Sequence, residues 1–363
     1  MNATPTIPAT PDDITASWLS TVLSSPDAPV TVTEVEVAEV GTGQTGATYR
    51  TVVEYENRPP SLPDSFVVKL PYQDEEVRAR VSPSYRAEHA FYTQVAQTVR
   101  APVPHCFHSE IASEGTEFVL LMEDLAPAVQ GDQLAGCGVD DAGLAVEALA
   151  GLHGPRWCDP ELLHFSGVTM PKPDEQRAAM LGRVATMAAE TTIEKIGANI
   201  SADAERTLRE AGALVADWLM LEPDRYCLLH GDFRLDNLLF GSGSRRVTVV
   251  DWQTVTVGLP ARDLAYFVAT GLLADIRSEV ERDLVARYHT ALLTHGVSGY
   301  AEAQCWQDYR LGLLQIPLVV SLGTAYSAYT DRGAEMMVTM LERGTRAIRE
   351  LGSLDLIRDL SGG

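Results

Sequence analysis

The chain has 363 residues, enough for a substantial core in one large domain or two lobes. A content of 45% hydrophobic and 21% charged residues is that of an ordinary globular protein and excludes disordered and fibrous classes. The net charge of −22 repels phosphate backbones and anionic lipid heads, so no nucleic-acid partner is expected and the acidic surface reads as solubilising.

In chain order, Ile14, Trp18, Leu19, Val22 and Leu23 predict a helix over 12–23, stopped by Pro26 and Pro29. Alternating valines predict a strand over 30–40, with one slip near Thr33 and Glu34. A glycine-containing turn, Gly41-Thr42-Gly43-Gln44-Thr45-Gly46, leads to a second strand over 48–55. A proline-rich turn over 58–63 precedes a third strand over 65–70 and a helix bearing Tyr85, Ala87, His89, Phe91 and Tyr92. Two further strands are expected over 105–109 and 118–122. Beyond Leu125 helical patterns dominate, over 140–153, 175–197, 203–221, 260–275, 278–295, 301–329 and 334–351. They are interrupted by a strand pair around 226–229 and 246–250. A strand-rich third followed by a helix-rich remainder predicts an α+β protein of two lobes.

Five scattered cysteines without a C-x-x-C pair argue against a disulfide framework and a zinc site, and favour a reducing, cytoplasmic compartment. The first ten residues lack a basic start and an apolar core and do not read as a secretory signal. The apolar stretch 311–326 is shorter than the ~20 residues of a membrane span. It reads as a buried helix, and no membrane insertion is expected.

Four elements carry chemistry. The run His230-Gly231-Asp232-Phe233-Arg234-Leu235-Asp236-Asn237 leaves an apolar strand, and an aspartate there can accept the proton of an incoming hydroxyl. Asn237, five residues on, can reach a metal ion bound to the same phosphates. Asp251, ending the run Val247-Thr248-Val249-Val250, suits a magnesium ligand, because Mg²⁺ takes hard oxygens and shares its shell with phosphates. Lys69 lies inside an apolar strand and needs an anionic partner, since an unpaired buried charge is expensive. Glu88 on the following helix offers one, leaving the ammonium able to touch a nucleotide's phosphates. The glycines Gly41, Gly43 and Gly46 let backbone N–H groups approach phosphates. Taken singly, these elements also fit a polar loop, a turn-capping aspartate, an edge-strand lysine and a dinucleotide-binding turn. Their serial order is that of a protein-kinase-like fold. The glycines here join two strands, whereas a dinucleotide fingerprint needs a helix after them.

With Leu229-His230-Gly231-Asp232 and Asn237, Val250-Asp251-Trp252-Gln253, and Gly258-Leu259-Pro260-Ala261-Arg262-Asp263-Leu264-Ala265-Tyr266, the sequence resembles the aminoglycoside phosphotransferase and choline kinase superfamily. Glycine after the histidine, where protein kinases have arginine, is typical of these small-molecule kinases. Asp251-Trp252-Gln253 resembles the ecdysteroid-kinase-like branch, and 230–237 the phosphotransferase domains associated with acyl-CoA dehydrogenases. The resemblance implies a bilobal fold, with a leader and a small antiparallel-sheet nucleotide lobe over 1–124. A larger, mostly helical lobe with the acceptor site would cover 125–363. It implies ATP and Mg²⁺ as cofactors, Asp232 as the base or hydroxyl-orienting group, and Asn237 and Asp251 as metal ligands. Lys69 would bind phosphates, oriented by Glu88, and backbone groups of Glu123 and Leu125 would bind adenine. Asp263 would anchor the loop, and His153 would be structural. Arg234, two residues after the base, is expected to stabilise charge on the transferring phosphoryl group.

The expected activity is phosphoryl transfer from ATP to a hydroxyl of a small molecule. The alternative is a catalytically silent nucleotide-binding regulatory module. A protein kinase is disfavoured by the absence of an A-P-E segment after Asp251, and a NAD enzyme is weaker still. The acceptor stays open. Acidic side chains suit an aminoglycoside, whereas 311–326, if it lined the pocket, would suit a sterol-like or acyl-like alcohol.

Overall fold

The computed structural model describes residues 6–40, 46–243, 245–326 and 330–362. Gly41 and Gly43 of the glycine turn lie outside the described residues, and Gly46 opens the second strand.

Helix α1 (Ala16–Leu23) is capped by the Thr15 side chain, which accepts from the Trp18 N–H. Strands β1 (Val32–Glu39), β2 (Gly46–Tyr55) and β3 (Ser65–Pro71) follow, then α2 (Glu75–Ala90), β4 (Cys106–Ile111) and β5 (Phe118–Glu123). The strands form one antiparallel sheet in the order β1-β2-β3-β5-β4. The slip expected near Thr33 is a register shift between Val32 and Glu34. Strand alternation divides the sheet's two faces. Phe66, Val68, Leu70, Val119 and Leu121 pack with Trp18 and Leu19 of α1 on one side. Phe118, Leu120 and Met122 join Tyr85 and Phe91 in the main core on the other, the face that Lys69 shares. Asp124 ties the end of β5 across the sheet, accepting from Arg50 at 2.8 and 3.1 Å and from Ser65 at 2.5 Å.

The remainder runs β6 (Val129–Gln130), α3 (Val139–His153), α4 (Glu175–Ile196), α5 (Ala202–Leu219), β7 (Cys227–Leu229), β8 (Leu238–Phe240), β9 (Val247–Val249) and β10 (Thr256–Gly258). Helices α6 (Ala261–Gly271), α7 (Ala274–Thr294), α8 (Glu302–Gly312), α9 (Gln315–Tyr326), α10 (Asp331–Glu350) and α11 (Ser353–Ser361) complete it. A small antiparallel sheet with many helices is the α+β class expected. Every residue of α6 is buried, which makes it the axis around which the other helices pack.

Two details correct the sequence reading. The strands at 227–229 and 247–249 do not pair with each other: β7 pairs with β10, and β9 with β8. The stretch 301–329 is not one helix but α8 and α9, separated at Leu313 and Leu314. Leu311, Leu313, Leu314, Ile316 and Val320 are fully buried, so this segment belongs to the core. Among the described residues no helix is long and apolar enough to cross a membrane.

Candidate active site

Buried hydrophobic residues flank Lys69 on β3, and its side chain reaches Glu88 on α2 and Asp251 just after β9. Its Nζ lies 2.8 Å from Glu88 Oε2 and 2.9 Å from Asp251 Oδ1. Lys69 and Glu88 are buried, whereas the Asp251 side chain is 39% exposed, so the charge triad opens to solvent only at its aspartate. Burial opposes the Lys69 ammonium, but the two carboxylates outweigh it and raise its pKa. Burial raises the Glu88 carboxyl despite Lys69. Partial burial opposes the Asp251 charge, but Lys69 overcomes it and the carboxyl is held below the usual range. Gln253 adds a side-chain hydrogen bond to Glu88. Asp251 itself has φ 66° and ψ 65°, a left-handed conformation that costs a residue with a side chain roughly 1–2 kcal/mol. It persists because the surroundings hold it. Trp252, directly after it, stacks on Phe91 at the end of α2 with ring centroids 3.6 Å apart and an interplanar angle of 6°.

The loop between β7 and β8 is gripped by its backbone. Asp263, fully buried on α6, accepts from the N–H groups of His230 (2.6 Å) and Gly231 (3.0 Å). Thr254 Oγ1 donates to the His230 carbonyl and Gln315 Nε2 to the Gly231 carbonyl. The Leu235 N–H donates to Gln133 Oε1. Gly231 is required here on two counts: its φ is +83°, and an added Cβ would lie 2.3 Å from the Thr254 carbonyl oxygen. His230 Nε2 lies 3.0 Å from the Val250 carbonyl, and its Nδ1 receives the Asp232 N–H at 3.3 Å. A neutral ring protonated at Nε2 satisfies both contacts.

Asp232 is aimed by three side chains. Tyr266 donates to Oδ1 at 2.9 Å, while Arg234 Nε (2.9 Å) and Asn237 Nδ2 (3.1 Å) donate to Oδ2. Arg234 also reaches Asp236 Oδ2 at 2.7 Å and the Met336 sulfur at 3.0 Å. Arg332, at the start of α10, donates to Asp236 at 3.2 Å. Burial opposes the Arg234 charge, and Asp232 and Asp236 more than restore it.

Asn237 commits its amide nitrogen to Asp232, which turns its carbonyl oxygen away. Its backbone carbonyl accepts from the Val250 N–H, so Asn237 and Asp251 stand side by side. Among the described residues no group of three or more His, Cys, Asp or Glu side chains is arranged to hold a metal ion. A divalent cation here would take two hard oxygens from the protein and the rest from phosphates and water, a donor set that fits Mg²⁺.

The structure therefore brings Lys69, Glu88, Asp232, Arg234, Asn237 and Asp251 into one connected site. Glu123 and Leu125 lie at the exit of β5, where the Glu123 N–H donates to His105 and the Leu125 carbonyl accepts from Ala128. Sequence reasoning did not foresee that Tyr266, Gln133, Gln315 and Arg332 touch the site. Tyr266 alone had a signal, its place in the Asp263-Leu264-Ala265-Tyr266 segment.

Residues 37–306 match the model of a family described as the phosphotransferase enzyme family. Among curated proteins, acyl-CoA dehydrogenase family member 11 of Gallus gallus is 30% identical over 175 residues, which is 46% of this chain and 20% of that protein. Its Homo sapiens counterpart is 47% identical over 58 residues, 15% of this chain and 7% of that protein. These matches thus span a fifth or less of the relatives' length. Among solved structures, a Ralstonia eutropha JMP134 protein assigned to the aminoglycoside phosphotransferases aligns with a TM-score of 0.55 at 16% identity, covering 92% of this chain and 97% of that one. Plasmodium vivax ethanolamine kinase aligns with a TM-score of 0.50 at 13% identity, covering 87% and 84%. At these identities the likeness establishes the fold, that of the protein-kinase-like phosphotransferases.

Proposed function

The chain belongs to the phosphotransferase enzyme family, and from that premise we propose that it moves the γ-phosphoryl group of ATP to a hydroxyl of a small molecule. In this reading residues 1–124 carry the nucleotide-binding lobe and 125–363 the catalytic loop and acceptor site. The observation that carries the proposal is the meeting of Lys69 with Asp251, 182 residues away, beside the loop that aims Asp232.

Lys69, fixed by Glu88, binds the nucleotide's phosphates. The backbone of Gly41, Gly43 and Gly46 covers them, and the Glu123 and Leu125 backbone receives the adenine. With the Leu125 carbonyl already engaged, its N–H is the group offered. The acceptor hydroxyl donates to Asp232, which orients it and takes its proton as the new O–P bond forms and ADP leaves. Tyr266, Arg234 and Asn237 hold that carboxylate in line. Arg234 faces the transferring group and offsets its charge. Asn237 and Asp251 would hold Mg²⁺, which when bound would supply charge neutralisation on the phosphates.

A screen of ADP release over hydroxylated compounds tests this. Asp232→Asn is expected to lower turnover on any acceptor found by about a thousandfold, within the range of general-base effects. Turnover that survives the substitution would overturn the assignment.

A further inference from the structure

Beneath the turn joining β10 to α6 lies a cavity of about 30 Å³, whose lining includes Lys172, Trp218, Glu222, Arg225, Tyr226 and Arg262. Its three cations are not equally neutralised. The Arg225 guanidinium meets Asp308 Oδ1 at 2.7 Å and Oδ2 at 2.8 Å, and Glu222 at 2.8 Å. Among the described residues no carboxylate stands within ion-pairing distance of Arg262 or Lys172.

Arg262 is 5% exposed. Its Nε and Nη2 share one neutral acceptor, the Gln315 amide oxygen, at 2.9 and 2.7 Å. The guanidinium carbon lies 4.8 Å over the Trp218 ring. Burial pulls the group's pKa down to about 10, and the neighbouring Asp263 charge, which makes no ion pair with it, only partly offsets this. Its Nη1 lies against Gly258, another lining residue, where an added Cβ would come within 2.8 Å. Lys172 donates to the Pro223 carbonyl and sits 4.9 Å over the Tyr226 ring, again neutral partners. Two cations that make no ion pair among the described residues thus share one cavity in a chain of net charge −22. The space exceeds the ~10–15 Å³ that a single water requires, so it admits the oxygens of a small anionic group.

We infer that this cavity binds a small oxyanion, a carboxylate or a phosphate group, between Arg262 and Lys172, and that its occupancy is felt by the catalytic loop. The route is short. Arg262 holds Gln315, whose Nε2 donates to the Gly231 carbonyl at 3.2 Å. Asp263, the next residue, holds the N–H groups of His230 and Gly231. An anion that fixes the guanidinium therefore fixes both grips on the loop. This inference does not rest on the proposed activity, because binding is read without turnover.

The test is calorimetric titration of the full chain with inorganic phosphate and with acetate, at constant ionic strength set by chloride. The expected result is saturable binding, weakened at least tenfold in Lys172→Gln and in Arg262→Gln. Lys172 is partly exposed, and Lys172→Gln is expected to keep the thermal midpoint of the unsubstituted protein, so weakened binding there is not misfolding. Hydrogen exchange at the Gly231 amide should slow when phosphate binds. No saturable binding of either anion, or undiminished affinity in Lys172→Gln, would overturn the site. Exchange at Gly231 indifferent to phosphate would overturn the link to the loop.

Discussion

The two ends of the candidate site are held by different forces. At the Lys69 end, one ammonium is shared by two carboxylates, one from the next helix and one from 182 residues away, and charge does the holding. At the Asp232 end, the backbone of the loop is pinned by Asp263, Thr254, Gln315 and Gln133. A charge-held cluster can exchange one partner for a ligand's phosphate with little change in backbone. A backbone-held loop keeps one geometry whatever arrives. In the proposed reaction the first end receives and the second aims.

That contrast can be broken by experiment. The largest effect is expected from Lys69→Met, which leaves Glu88 and Asp251 facing each other without a cation. Removing one partner of a buried ionic cluster costs about 3–5 kcal/mol. Denaturant unfolding measures it, and a loss below about 1 kcal/mol would mean that charge does not hold this end. Gly231→Ala comes next, at about 2 kcal/mol or more, since it adds a left-handed penalty to a collision with the Thr254 carbonyl. Thermal unfolding reads it, and an undisturbed midpoint would show the loop to be adaptable. Tyr266→Phe removes one of the three hydrogen bonds that aim Asp232. A single hydrogen bond of about 0.5–1.5 kcal/mol corresponds to a roughly twofold to thirteenfold fall in kcat. Steady-state kinetics should show the KM for ATP unchanged.

The smallest effect sharpens the contrast at the edge of the sheet. Burial pushes the Asp124 carboxyl up, but Ser65 and Arg50 outweigh it and hold it below the ordinary 3.8. A depressed carboxyl stabilises the fold above its unfolded pKa, and that contribution is lost as the pH falls through the folded value, here below 3.8. Melting temperature recorded from neutral pH into acid should therefore drop less steeply below that point in Asp124→Asn. An acid limb identical to the parent's would remove Asp124 from the account.

The same contrast explains what the sequence made legible. A lysine in an apolar strand must find a counter-charge, so Lys69 announced its need, and Glu88 on the next helix was a short reach. The anchors of the loop gave no such sign. Gln133 and Gln315 act on backbone groups more than 80 residues away in the chain, and no periodicity marks a glutamine for that task. Strands of three residues carry too little alternation to choose a partner, so nothing in the sequence separates a β7–β9 pairing from the β7–β10 and β8–β9 pairings of the structure. The break between α8 and α9 lies inside an unbroken apolar run, where helical period and burial give the same pattern. Helix α11 was missed altogether, being nine residues long and placed after Gly352.

The stack of Trp252 on Phe91 has a consequence of another kind. One ring follows Asp251 and the other ends the helix that carries Glu88, while His230 stands 4.8 Å from the same indole. Any shift of α2 against the end of β9 must slide these rings apart. The emission of Trp252, isolated by replacing Trp18, Trp157, Trp218 and Trp306, would thus serve as an optical gauge of whether the site is assembled, with no dye attached.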